Sequence, residues 1–149
     1  MKEIVKYRLK LVREEKTEYR GGALQSPKAV AEAMNAIFNM DAQPMEIFTM
    51  IALDIKKKPV GCFLISQGSL DATVVHPREV FQRALMVNAH SIIVAHNHPS
   101  GEVTPSHNDI NLTKTLKDAG EIMNIDLVDH VIIGEEGRFY SFGQEGMLL

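Results

Sequence analysis

The sequence predicts an α/β (α+β) domain in which a mixed sheet has helices packed against it. Three observations predict this. Short apolar runs at 47–54, 60–66 and 91–95 have the length and β-branched content of strands. Segments opening at Ser26–Pro27 and at Pro77, and the segment 105–123, carry helix-start signals and apolar residues at helical spacing. The two kinds of segment are interspersed along the chain, which is the order a sheet covered by helices requires. The chain has 149 residues, 45% hydrophobic and 23% charged. This is ordinary globular composition and is expected to form a single domain over 1–149.

Residues 4–13 (IVKYRLKLVR) alternate apolar and charged side chains and predict a half-exposed strand. Tyr19 to Gln25, with Gly21 and Gly22, reads as a loop. Ser26 and Pro27 predict an N-cap and first helical residue, and Val30, Met34, Ile37 and Phe38 share one face of the helix that follows. IFTMIALD (47–54), a KKKP turn and VGCFLIS (60–66) predict a hairpin in a well-buried sheet. LDATVV (70–75) predicts a third strand. Pro77 opens a helix with Val80, Phe81, Ala84 and Leu85 on its inner face. SIIVA (91–95) reads as a central strand. A helix over 105–123 follows, then strands IDLVDHVII and RFYSF joined across GEEG.

Composition excludes several classes of function. Cys62 is the single cysteine, so neither an internal disulfide nor a multi-cysteine zinc site is available. The net charge of −3 and the absence of a long basic run give no support for binding nucleic acid. Lys56, Lys57 and Lys58 read as a solvated turn. No apolar run reaches membrane-spanning length and no signal peptide opens the chain, so a cytoplasmic protein without membrane partners is expected.

The chemistry concentrates in HNHPSGEVTPSHND, residues 96–109. Side chains two apart on an extended chain point the same way, so His96 and His98 leave one side of the strand end together. Thr104 and Pro105 predict the start of the next helix. At about 100° per residue, Ser106 and Asp109 then lie about 60° apart, whereas His107 and Asp109 lie about 160° apart. Only one of that second pair can face the histidines. Asp109 completes a His, His, Asp donor set suited to zinc with a fourth position open, and His107 is the rival third ligand. Ser106 and Asp109 also fit a capping box, a purely structural alternative. Glu46 and Glu102 are the carboxylates available as a base. Glu102, between Gly101 and Val103, reads as solvent-facing, and Glu46 by itself reads as a polar residue marking the start of a strand.

HNHPSGEVTPSHND resembles the JAMM (MPN-type metalloprotease) motif, with His96, His98, Pro99, Ser106 and Asp109 at its positions. Together with VHPREVFQRAL upstream and IDLVDHVIIGEEGRFYSFGQEG downstream, it resembles the RadC family over roughly 40–149. The resemblance implies a JAB/MPN fold related to that of cytidine deaminase. It implies His96, His98 and Asp109 as zinc ligands, Glu46 as general base on the attacking water and Ser106 as donor to the developing oxyanion. The implied activity is a zinc metallopeptidase acting on peptide or isopeptide bonds of a peptide or protein substrate. His130, in a RadC-like Asp129–His130 pair, reads as a structural histidine or a residue behind the ligands. In longer RadC proteins a helix-hairpin-helix module precedes this domain. Residues 1–40 are too few for it, so a short form is expected, without nucleic-acid partners. The alternatives are a non-enzymatic interaction module on the same fold and a DNA-repair-associated factor of the RadC type. A zinc deaminase is not expected, because its HxE and PCxxC pattern is missing and Cys62 stands alone.

Overall fold

The computed structural model describes residues 1–19, 21–68 and 75–148. Its centre is a five-stranded mixed sheet in the order β2-β1-β3-β4-β5, with β1 Ile47–Leu53, β2 Pro59–Gln67, β3 Ser91–Asn97, β4 Asp126–Ile133 and β5 Phe139–Ser141. Neighbouring strands are antiparallel except β3 and β4, which run parallel. Helix α1 (Pro27–Phe38) covers one face; α2 (Pro77–Met86) and α3 (His107–Met123) cover the other. The parallel pair requires a crossover, and α3 supplies it.

The sheet is central because β1 and β3 are apolar on both sides. Ile47, Ile51, Leu53, Ile93 and Ala95 pack with Val30, Ala33 and Met34 of α1. Phe48, Met50, Ile92 and Val94 pack with Val80, Phe81 and Leu116 of the other two helices. Ile93 is fully buried, and burial of such a side chain contributes about 1.5–3 kcal/mol. Helix α1 starts where Ser26 Oγ accepts the Ala29 N–H at 3.2 Å, ahead of Pro27, and stops at Asn39 in the left-handed region. The polar Thr49 survives inside the sheet because its hydroxyl donates to Ala95 O at 3.1 Å.

Four expectations need correction. Residues 4–13 form no strand: Ile4 is 98% and Leu9 77% exposed. Alternation describes a strand only when a neighbour accepts its hydrogen bonds, and no described strand does so. The hairpin is well buried on β1 alone. β2 is an edge strand whose Val60 and Leu64 face outward. Leu85 is half exposed at the end of α2, while Val80, Phe81 and Ala84 are buried. Helix α3 begins at His107 with Ser106 as its N-cap, rather than with Thr104 and Pro105. The capping box decides this: Ser106 Oγ accepts the Asp109 N–H at 3.1 Å, and Asp109 Oδ2 accepts the Ser106 N–H at 2.8 Å. Of the expected strand 70–75, residues 70–74 lie outside the described residues; Val75 packs into the core.

Candidate metal centre

The structure brings His96, His98 and Asp109 together, with one ligand atom from each all within 4.8 Å of one another. His96 and His98 come from the end of β3 and Asp109 from the first turn of α3. His96 Nε2 lies 3.1 Å from His98 Nε2 and 3.2 Å from Asp109 Oδ1, and His98 Nε2 lies 3.3 Å from Asp109 Oδ2. Asp109 therefore serves both as cap residue and as member of the cluster. His107 is exposed and stands outside it.

Backbone partners fix what these atoms present. His98 Nδ1 lies 2.7 Å from the Glu102 carbonyl. A carbonyl only accepts, so the Nδ1 proton points there and the neutral ring turns its Nε2 lone pair into the cluster. A second nitrogen and a carboxylate meet it at close range. Such a set of electron-pair donors is stable only around positive charge. The pKa values show this: the hydrogen bond that His98 donates to Asp109 raises His98 above its usual value, against burial. Burial by itself would raise the Asp109 carboxyl, but hydrogen bonds from His96 and His98 outweigh it and hold the group far below the carboxylate range.

The loop carrying His98 is held against β4. His98 N–H donates to Ile133 O at 3.0 Å and Gly101 N–H to His98 O at 2.9 Å. Gly101 has φ +86°, a conformation that favours glycine, and a Cβ on Gly134 would lie 2.6 Å from Gly101 O.

Glu46 sits immediately before β1. Because β1 and β3 are antiparallel with Phe48 opposite His96, Glu46 comes to the end of β3 that carries His98, and its charge contributes to raising the His98 pKa. Asn97 holds it there. The Asn97 side chain is buried; its Oδ1 accepts the Ile47 N–H at 2.7 Å and its Nδ2 donates to Met45 O at 3.1 Å. Both residues flanking Glu46 are thus clamped by the residue between the two histidines. Sequence reasoning missed this role, because a buried asparagine between two histidines carries no spacing signal. Glu102 is exposed, and Ser106 lies at the exposed rim with its hydroxyl oxygen accepting the Asp109 N–H.

His130 stands behind His96, at 0% exposure. Burial, and next the charge of His96, push its pKa well below the usual histidine value. Its placement follows from an irregularity in β4. The β3–β4 register shifts between Ile92 and Ile93, so that Ile92 is opposite Leu127 but Val94 is opposite His130. The extra residue reverses the alternation beyond Leu127 and turns His130 to the face that His96 occupies. Asp129 points elsewhere: it accepts from Ser141 Oγ at 2.6 Å, the Gly143 N–H at 2.9 Å and the His130 N–H at 2.8 Å. With Leu24, Ser26 and Phe139 it lines a concavity of about 500 Å³ whose lining includes none of the histidines. Those bonds make Asp129 a structural anchor.

The RadC-like JAB domain family model matches residues 24–147. A UPF0758 protein of Clostridium beijerinckii is 42% identical over 125 residues, covering 84% of this chain and 53% of its own length. A UPF0758 protein of Methanosarcina mazei is 43% identical over 125 residues, with coverage of 84% and 53%. One from Paraburkholderia phytofirmans is 42% identical over 123 residues, with coverage of 83% and 46%. The chain spans about half the length of these curated relatives. Among the described residues, no helix is long and apolar enough to cross a membrane. With that match across most of its residues and a mixed sheet between helices carrying the His, His, Asp group, the chain belongs to the RadC family, through its RadC-like JAB domain.

Proposed function

We propose that this domain is a zinc-dependent hydrolase of peptide or isopeptide bonds. The observation that carries the reading is the convergence of His96, His98 and Asp109, with a backbone carbonyl already directing the His98 Nε2 lone pair inward. Two imidazoles and one carboxylate suit zinc in the arrangement that leaves a position for substrate. The chemistry zinc supplies at such a site is Lewis acidity, which polarises a carbonyl and makes water acidic enough to attack near neutral pH.

The chain's own residues supply the rest. Glu46, held by the Asn97 clamp, takes the proton of the attacking water and passes it to the departing amine. The acyl carbon gains the water oxygen, the C–N bond breaks, and a carboxylic acid and an amine result. Ser106 Oγ already accepts the Asp109 N–H, which leaves its own proton for donation to the developing oxyanion. Asp109 holds both the start of α3 and the ligand geometry.

Two measurements test this together. Protein purified without a metal column should carry about one zinc per chain by plasma mass spectrometry, and Asp109→Ala should lose it. Glu46→Gln should retain zinc while hydrolysis of a peptide library falls by about 10²–10⁴. Zinc and hydrolysis both intact in Glu46→Gln would remove Glu46 from the role of base. Zinc bound with no hydrolysis in any variant would leave the domain as an interaction module.

A further inference from the structure

His130 is fully buried, yet both its ring nitrogens are engaged: Nε2 lies 2.7 Å from His96 Nδ1, and Nδ1 lies 2.6 Å from Thr113 Oγ1. The Thr113 hydroxyl is itself 2.6 Å from the backbone oxygen of Asp109, one turn earlier on α3. That oxygen can only accept, so the single hydroxyl proton of Thr113 goes to it. Turning the proton to His130 instead would leave two oxygens facing each other at that distance in a buried site. Thr113 Oγ1 therefore accepts from His130, whose proton lies on Nδ1.

An imidazolium at His130 would be a buried charge bonded only to a histidine and a hydroxyl, which burial disfavours. The ring is neutral, and its Nε2 is an acceptor. His96 Nδ1 must then donate to it, and in the neutral His96 ring that leaves the lone pair on Nε2, the atom that lies 3.2 Å from Asp109 Oδ1. Each proton position follows from the one before, starting from the Asp109 carbonyl.

We propose that Thr113 and His130 are positioning residues that fix the tautomer of His96, so that its Nε2 presents a lone pair to a cation. The proposal rests on the metal-site reading above. The relay runs from one ligand, His96, to the backbone of another, Asp109, so ring orientation at the end of β3 is coupled to the first turn of α3. His98 reaches the same tautomer more simply, through the Glu102 carbonyl. His96 is buried inside the sheet, where no described loop carbonyl reaches it, and a neighbouring strand and helix supply the acceptor instead. Outer partners of this kind are worth roughly 10- to 100-fold in metal affinity.

The test uses the full chain. Nitrogen-15 histidine NMR of the wild type, without metal and with zinc, should place the His130 proton on Nδ1; a proton on Nε2 overturns the proposal without any variant. In Thr113→Val, His130 Nδ1 loses its acceptor. The ring should move its proton to Nε2, and zinc affinity, read by chelator competition, should fall roughly 10- to 100-fold. Thr113→Ser, which restores the hydroxyl, should recover both the spectrum and the affinity. Wild-type affinity in Thr113→Val, or no recovery in Thr113→Ser, refutes the positioning role while leaving the metal site standing. A wild type that takes up no zinc refutes the metal-site reading and this inference with it.

Discussion

Asp109→Asn separates the two duties of Asp109 and should change sign with pH. In the wild type Oδ2 accepts the Ser106 N–H at 2.8 Å, which an amide oxygen can do as well. Oδ1 lies 3.2 Å from His96 Nε2. With an amide N–H in that place, a contact between two electron-pair donors becomes a hydrogen bond, with a gain of about 0.5–1.5 kcal/mol. That gain should appear in chelator-treated protein at alkaline pH, above the range in which His98 holds its extra proton. In acid the balance reverses. His98 has its pKa raised above the usual 6.5, first by its hydrogen bond with Asp109. A raised folded-state pKa stabilises fully below the unfolded value and is lost as pH climbs through the folded one. The asparagine variant lacks this contribution, so near pH 5.5 it should be less stable by about 1.5–3 kcal/mol, the range for hydrogen bonds to charged groups. The pair is largely buried, with side chains 18% and 12% exposed, so solvent screening removes little of it. Urea denaturation followed by circular dichroism, with chelator present at both pH values, reads the difference. A variant less stable than the wild type at both would refute the convergence of lone pairs. Zinc binding should be lost in the variant at either pH.

Two further outcomes follow from the same geometry. Zinc at about 100 times its dissociation constant should stabilise the wild type by about 2.7 kcal/mol. For a domain of this size that raises Tm by about 5–11 °C, measurable by calorimetry; no rise, or an equal rise in Asp109→Ala, would place the bound ion elsewhere. Gly134→Ala should damage the same site from outside it. The new Cβ would lie 2.6 Å from both Gly101 O and Val103 Cγ1, so the loop that carries His98 has to shift. We expect a cost of about 1–3 kcal/mol and about tenfold weaker zinc binding by chelator competition. Unchanged affinity would show that the loop yields without moving His98.

What the sequence determined by itself was local. The apolar runs at 47–54 and 91–95 have the composition of doubly buried strands, and they fall in the two most enclosed strands of the sheet. Pro27 and Pro77 mark helix starts because a proline at the first helical position gives up no hydrogen bond. The period of a strand puts His96 and His98 on one side, and the capping-box pattern puts Ser106 against Asp109. These are properties of neighbouring residues and need no knowledge of the rest of the chain. Tertiary structure decided the remainder. Residues 4–13 alternate like a strand but have no described partner, and pairing is a property of two segments. The register shift in β4 that turns His130 toward His96 exists only in the ladder with β3. The Asn97 clamp on Glu46 spans strands distant in sequence, as does the relay from His96 to Thr113. Hydrogen bonds inside a buried core are set by which atoms meet away from water, and that depends on how the strands and helices pack.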